Sequence, residues 1–527
     1  VGDGGSSSQF DLFKDDVRAF ESGLDPAKLS VYRDGWDDPT ALNYLEYEQI
    51  DGVMYPKVDD NGSLMYRDMS YREYFETLRV IDGNFDINTA TEADIEALQY
   101  SSMNPWNFVG YQIGEALLIE SGYYIPAVDE LTGKDKYYIY ADDVSWKPGQ
   151  TEQPVTLSWG PEIILTRSNT WAGSFTGKDG VHSLDDLRQP DKQELVIQEA
   201  WRGNYNYITK ALAAEGMTWA LALEQSFTDP TDEVSVTPTM SGILAAAHLG
   251  GAQSVVNLLV DGTIRQDETG TSVLTYVRKF NGHSVPFGTD GSEVLHGNDY
   301  DNTIITAGGN DVVRTFGGKD DVVISADTQM LTRIVDFELG HDRLVLQGFS
   351  DQSHVLEEAA GGIALVLSDG QRVELDGLTS NDTLVHGQDY GFSTTYEMSW
   401  NGVFEGDTVL TGFDPAWDRL QAPSGARYEN LYVGQQGDDV KITFATNDDW
   451  VGEGYILPNT TTADVVDLLP DVMDGVAGDP NNILLEGVGS GDLNGPTPGP
   501  IPVGDGGSSS QFDLFKDDVR AFESGLD

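Results

Sequence analysis

The chain has 527 residues, 39% of them hydrophobic and 10% aromatic, enough apolar material for several packed domains and too much for wholesale disorder. Its formal net charge of −58 excludes a nucleic-acid or anionic-membrane binder, because such partners are held through Lys and Arg. With no cysteine there is neither a disulfide nor a thiolate metal site, and no run of about 18 apolar residues is present to span a membrane.

The acid excess leaves two uses: solubility in a salty medium, or carboxylates that await a divalent cation. Both predict an extracellular or cell-surface protein. The N-terminus lacks the basic start and apolar stretch of a secretory signal peptide.

Residues 1–25 recur letter for letter as residues 503–527. Twenty-five consecutive identities do not arise by chance, and they read as one full unit followed by the opening of the next. A period of this length repeats whole domains rather than solenoid turns of about 20–50 residues. The repeated segment opens on Gly4 to Ser8 and continues with Phe10, Phe13, Val17 and Phe20 at helical spacing. The second copy holds Phe512, Phe515, Val519 and Phe522. This apolar face predicts a connector that docks on a neighbouring unit; the alternative is the first helix of the domain that follows. Upstream of the second copy, residues 471–502 read as a Gly/Pro linker ending in the stiff run Gly495 to Pro502.

Residues 26–285 predict a mainly helical domain. Ser70 to Val80, residues 193–225, Ile243 to Ala247 and Val255 to Val260 carry the helical patterns, with a break at Gly250-Gly251. An insertion over about 126–169 alternates like strands, as in Tyr137 to Tyr140. Asp82, Asn84, Asp86 and Asn88 alternate like an EF-hand opening, yet Ala93 stands at the twelfth position, so a solvated turn is expected. His248 ends an alanine run and is expected in the core.

From residue 286 the texture turns to Gly, Asp and β-branched residues. Residues 288–323 divide into four nine-residue turns, with Leu295, Ile304, Val313 and Val322 at position eight and Glu293, Asn302, Asp311 and Asp320 at position six. Position three holds Asp290 and Asp299 in the first two turns. The aliphatic residue suits a short inward strand, glycine a tight turn, and the carboxylate supplies hard oxygen to Ca²⁺. Two β modules follow, over 331–395 and 396–470, aligned at an offset of 76 through Phe337/Phe413, Asp342/Asp418, Arg343/Arg419 and Leu344/Leu420.

The four turns resemble the RTX nonapeptide repeat, G-G-x-G-x-D-x-U-x. The resemblance implies a parallel β-roll over 286–330 that binds Ca²⁺ between same-side turns: 288–293 with 306–311, and 297–302 with 315–320. Asp311 and Asp320 match the repeat in full; Tyr300 replaces a glycine, and Glu293 and Asn302 replace aspartates. RTX proteins are bacterial and leave the cell by type I secretion, so the same resemblance implies a secreted bacterial protein. Three stretches (104–118, 171–181 and 237–250) resemble a lysozyme-like domain found beside such repeats. That family cleaves peptidoglycan with a glutamate as general acid. Here Asp82 stands nearest the expected glutamate, one methylene short, and Glu115 and Glu76 are the other candidate carboxylates.

The expected class is a multidomain α+β chain: a helical lysozyme-like domain, a short β-roll, two β modules and a linker. The expected function is a structural repeat unit of a secreted, calcium-stabilised extracellular bacterial filament, adhesin or surface layer, partnered by copies of itself in a head-to-tail array. A peptidoglycan hydrolase with an RTX secretion module is the second expectation. A surface module that binds cell-surface glycan through Tyr396, Trp400 and Trp417 is the third.

Overall fold

The computed structural model describes residues 8–50, 53–57, 59, 65–77, 85–103, 108, 110–138, 150–156, 162–166, 171–230, 232–266, 272–325, 331–339, 341–347, 354–367, 370–379, 392–397, 407–410, 419–422, 431–436, 439–444, 454–457, 473–474 and 484–486. The chain is mixed α+β. Among the described residues no helix is long and apolar enough to cross a membrane.

Helix α1 (Gln9–Ser22) starts at a capping box in which Ser8 and Asp11 bond each other's backbone N–H, and it ends at Gly23 in the left-handed conformation. Phe10, Phe13 and Val17 are fully buried in this chain's own core. Phe13 lies against Trp201 and Phe280, and Phe20 against Tyr276 and Phe280. The expectation that these four residues face a neighbouring unit is therefore corrected for the first copy. Amphipathic spacing requires that a face be covered, and this domain covers it. Phe512, Phe515, Val519 and Phe522 lie outside the described residues.

The expected helical domain has two cores. A small lobe combines α2 (Leu29–Asp34), β1 (Leu42–Leu45), the hairpin β2 (Tyr47–Ile50) and β3 (Val53–Pro56), β4 (Tyr66–Met69) and α3 (Tyr71–Thr77). Tyr32, Trp36, Tyr71 and Phe75 form its aromatic centre.

The larger core contains α4 (Glu92–Ser101), α5 (Glu115–Glu120), α6 (Pro190–Ala214), α7 (Trp219–Leu223), α8 (Met240–Gly250), α9 (Ala252–Asp261) and α10 (Val273–Phe280). All eleven residues of α8 are buried, so it is the central helix, and Gly251 at φ 81° turns the chain into α9. Short strands β5 (Tyr124–Ile125) and β10 (Ser174–Phe175) flank the insertion, whose β6 (Ala127–Val128), β7 (Asp135–Tyr138), β8 (Glu152–Thr156) and β9 (Glu162–Thr166) form one sheet. The pair β11 (Phe227–Thr228) and β12 (Ser235–Val236) leads into α8.

Beyond Phe287 the chain coils. Strands β13 (Val294–His296) and β15 (Asn310–Arg314) pair in parallel, as do β14 (Thr303–Ile305) and β16 (Asp321–Ser325). Val294 faces Val312 and Thr303 faces Asp321, so each strand pairs with the strand two nonapeptides further along the chain. Odd and even turns therefore build two separate sheets, with Leu295, Ile304, Val313 and Val322 packed between them. Both sheets run past the boundary expected at residue 330: β17 (Leu331–Ile334) joins β15, and β18 (Arg343–Gln347) joins β16.

Six strands then repeat. In the first module β19 (His354–Glu358), β20 (Gly362–Leu367) and β21 (Arg372–Asp376) return to β17, while β22 (Phe392–Glu397) pairs with β18. In the second, β23 (Thr408–Val409), β24 (Arg419–Gln421), β25 (Leu431–Gln436), β26 (Asp439–Phe444), β27 (Tyr455–Leu457) and β28 (Met473–Asp474) take the same relative places. Strand order β23-β27-β26-β25 reproduces β17-β21-β20-β19, and β24-β28 reproduces β18-β22. Strand β22 also pairs with β24, so one sheet passes through both modules, and β29 (Leu484–Glu486) adds to β25.

Candidate metal centre in the β-roll

Position six of the third and fourth turns points along the coil toward the turn stacked on it. Asp311 Oδ1 accepts the Glu293 backbone N–H at 2.9 Å, and Asp320 Oδ1 accepts that of Asn302 at 2.8 Å. The second column continues beyond the nonapeptides, because Asp342 Oδ1 accepts the Asp320 N–H at 3.2 Å. Asp311, Asp320 and Asp342 are all buried. The second carboxylate oxygen of Asp320 is buried with no hydrogen-bond partner.

Burial pushes Asp311 up to about 8, against the pull of the Glu293 N–H, with the Glu293 carboxylate adding to the rise. Burial pushes Asp320 up to about 9, and the neighbouring Asp342, Asp301 and Asp321 add to it. Such carboxyls resist ionising alone and ionise readily beside a cation. Among the described residues no group of three His, Cys, Asp or Glu side chains stands together as a metal cluster. Main-chain carbonyls of the turns would have to complete any coordination shell, as oxygen-loving Ca²⁺ permits.

The backbone separates the four turns into two kinds. The third and fourth enter the left-handed region at positions two and four: Ala307 and Gly309, then Phe316 and Gly318. A Cβ on Gly309 would lie 1.3 Å from the Gly291 carbonyl oxygen, so stacked turns touch backbone to backbone there. The first two turns stay out of that region and are engaged by the helical core. Asp290 Oδ1 accepts the Ala220 N–H of α7 at 2.7 Å, and the Tyr205 hydroxyl donates to the Gly288 carbonyl at 3.0 Å. Asn298 donates to Asp11 of α1, and Asn302 donates to Gln198 of α6. Asp299 is exposed beside Gly317. Glu293 accepts the Thr289 N–H within its own turn at 3.1 Å. The departures from the nonapeptide pattern thus fall on the turns that dock the roll.

The structure brings Glu293 to Asp311 and Asn302 to Asp320, and it directs Asp290 to a helix. Asp336 and Asp342 are not singled out by the repeat, since they lie past its last period. Asp336 accepts the Thr315 N–H at 2.9 Å. Asp342 has a signal in the Phe…Asp-Arg-Leu segment that is echoed in the second β module, whereas Asp336 has none, since Gly412 stands at its place there.

Of the candidate acids, Asp82 lies outside the described residues and Glu76 is exposed. Glu115 opens α5, is 4% exposed, and burial pushes its carboxyl up to about 7. Asp86 accepts the Asn88 N–H in a solvent-exposed turn. His248 is buried against the Tyr111 carbonyl, and burial holds it down at about 4. Of the aromatics expected to bind glycan, Trp400 and Trp417 and the side chain of Tyr396 lie outside the described residues.

One buried cluster had no sequence signal. Glu194 of α6 accepts from the Tyr100 and Tyr111 hydroxyls at 2.6 and 2.7 Å and is paired with Lys14 and Arg18 of α1. Burial opposes its charge, but Lys14 and Arg18 outweigh that and hold the carboxyl below its ordinary value. A single glutamate in a long amphipathic helix reads as a surface residue until its partners at the far end of the domain sequence are known.

No family model and no curated protein matches this chain. Among solved structures, the extracellular lipase LipA from Serratia marcescens is similar at 13% identity over 37% of this chain and 41% of the lipase, with a TM-score of 0.17. The chain thus spans less than half of that protein's length. The AlgE6R3 subunit of the Azotobacter vinelandii mannuronan C5-epimerase is similar at 15% identity over 42% of this chain and 90% of that one, with a TM-score of 0.09. The two-sheet coil rests on this chain's own strand pairing.

Proposed function

We propose that this chain is a structural repeat unit of a secreted, calcium-stabilised extracellular bacterial filament, adhesin or surface layer of the RTX kind. The observation that carries the reading is the stacked column of buried acids, above all the partnerless oxygen of Asp320. An acidic coil of this kind is stable when a divalent cation neutralises it. Glu293 and Asp311 would hold Ca²⁺ on one side of the roll, Asn302 and Asp320 on the other. The ion would supply positive charge and a cross-link between turns that contain no cysteine. Calcium titration with circular dichroism tests this: chelation is expected to unfold residues 288–323 and loosen the sheets that continue from them. Melting that is unchanged after exhaustive chelation would overturn it.

Glu115 favours a second reading, a peptidoglycan hydrolase of the lysozyme-like kind. Its buried carboxyl holds a proton near neutral pH, as a general acid must. Clearing of peptidoglycan in a zymogram that disappears with Glu115→Gln would establish this activity.

A further inference from the structure

The nonapeptide period ends at residue 323, but the second column of the roll does not. Strand β18 stacks on β16 with Arg343 facing Asp321, just as β16 stacks on β14 with Asp321 facing Thr303. The segment leading into β18 repeats the bonding of a turn without its sequence. Asp342 Oδ1 accepts the Asp320 N–H at 3.2 Å, as Asp320 Oδ1 accepts that of Asn302 at 2.8 Å. Asp342 Oδ2 accepts the Glu338 N–H four residues back at 2.9 Å, as Asn302 Oδ1 accepts that of Asn298 at 2.6 Å.

Asp311, Asp320 and Asp342 thus each reach across a gap between stacked turns, toward Glu293, Asn302 and Asp320 respectively. The three gaps differ in charge. In the first, Glu293 commits both carboxylate oxygens to Thr289 of its own turn. In the second, Asn302 is neutral and donates to Gln198 of α6. The third is bounded by two aspartates, Asp320 at 0% and Asp342 at 1% exposure. The second oxygen of Asp320 is buried there with no hydrogen-bond partner, and of the neighbouring charges that of Asp342 acts on it most strongly. Each Asp342 oxygen that accepts a backbone N–H has a second lone-pair site. Calcium affinity rises with the number of anionic ligands in a site.

We propose that the gap between Asp320 and Asp342 holds a divalent cation, a third calcium site that lies past the end of the repeat and fills before the other two. It ties the roll to β18 and so to the first β module, with main-chain carbonyls completing the shell. This rests on the reading of the chain as calcium-stabilised and adds to it a ligand, Asp342, and an order of filling.

The test titrates calcium into the full chain and follows hydrogen exchange by mass spectrometry. Peptides from 315–347 are expected to gain protection at about 10-fold less calcium than those from 288–312. Asp342→Asn should remove one bound ion in native mass spectrometry and raise the calcium needed by 315–347 about 10- to 100-fold, leaving 288–312 unchanged. Glu293→Gln should do the reverse. Exchange in chelator shows whether Asp342→Asn still folds, and the order of protection in the unsubstituted chain decides the matter if it does not. Protection that arrives together or in the opposite order would overturn the proposal, as would an unchanged ion count in a folded Asp342→Asn chain. Protection confined to 288–312 would overturn this site and leave the calcium-stabilised unit standing; no response to calcium anywhere would overturn both.

Discussion

Replacing Asp320 by Asn should change stability in opposite directions with and without calcium. Asp320 Oδ1 accepts the Asn302 N–H, a bond the amide oxygen of Asn preserves. The other oxygen is buried without a partner and close to Asp342. In the cation-free chain, a carboxyl pushed from 3.8 to about 9 keeps its proton at pH 7 while the unfolded chain has released it. That difference costs about 4 kcal/mol of stability at pH 7. Asn removes the titration and places an amide donor toward Asp342, so a net gain of about 1–3 kcal/mol is expected in chelator. At about 2–4 °C per kcal/mol, the melting midpoint of the β half should rise by several degrees. In calcium the same variant should lose the anionic ligand proposed at Asp320. A cation bound only by the folded state contributes about 3–4 kcal/mol at 100–1,000 times its dissociation constant, and most of that should disappear. Thermal melts followed by circular dichroism, in chelator and in calcium, read both signs. A midpoint lowered equally in both would refute the reasoning and make Asp320 a plain hydrogen-bond acceptor.

Gly309→Ala should cost about 3–5 kcal/mol, because its Cβ would meet the Gly291 carbonyl, whereas Gly282→Ala, with the same hand of backbone and open space around it, should cost about 1–2; urea midpoints compare them. Glu194→Gln should destabilise the helical domain by about 3 kcal/mol, since the buried Lys14 would keep only Asp11 at 3.9 Å and the buried Arg18 only the exposed Asp15 and Glu96. Denaturant unfolding followed by tryptophan fluorescence checks this through Trp201. His248 has a folded value of about 4 against an ordinary 6.5, so its stabilising contribution is complete above pH 6.5 and is lost as pH falls toward 4. The loss should reach about 3 kcal/mol, and a His248→Gln chain should lack that part of the pH dependence.

What could be read directly from the chain was local and periodic. Helices α6, α8 and α9 follow the apolar spacing, and the break at Gly251 falls where the glycine pair stands. The nonapeptide period set which residues point into the roll, because each turn repeats the same short-range code of glycine, acid and aliphatic. The echo of Phe337 and Asp342 in Phe413 and Asp418 anticipated the repeated strand order, and the inserted sheet followed from alternation. Position-specific departures were visible too, but not their reason. Asp290 reads as a cation ligand until α7 is brought to it.

Tertiary structure decided which surface covers which. An amphipathic face at residues 10–20 states only that something must cover it, and the same spacing serves a neighbour or the chain's own core equally well. Burial against Trp201 and Phe280 settled that for the first copy. The boundary expected at residue 330 came from the end of the sequence period, yet hydrogen bonding between strands has no need of that period and continues through β17 and β18. Glu194, Lys14 and Arg18 carry no mutual signal along the chain, because an ion pair is recognised by distance in space. The sequence by itself thus determined the local elements, the turns of the roll and the identity of residues 1–25 with 503–527; the contacts that bury α1 depend on folding, which alone brings residues far apart in sequence within bonding range.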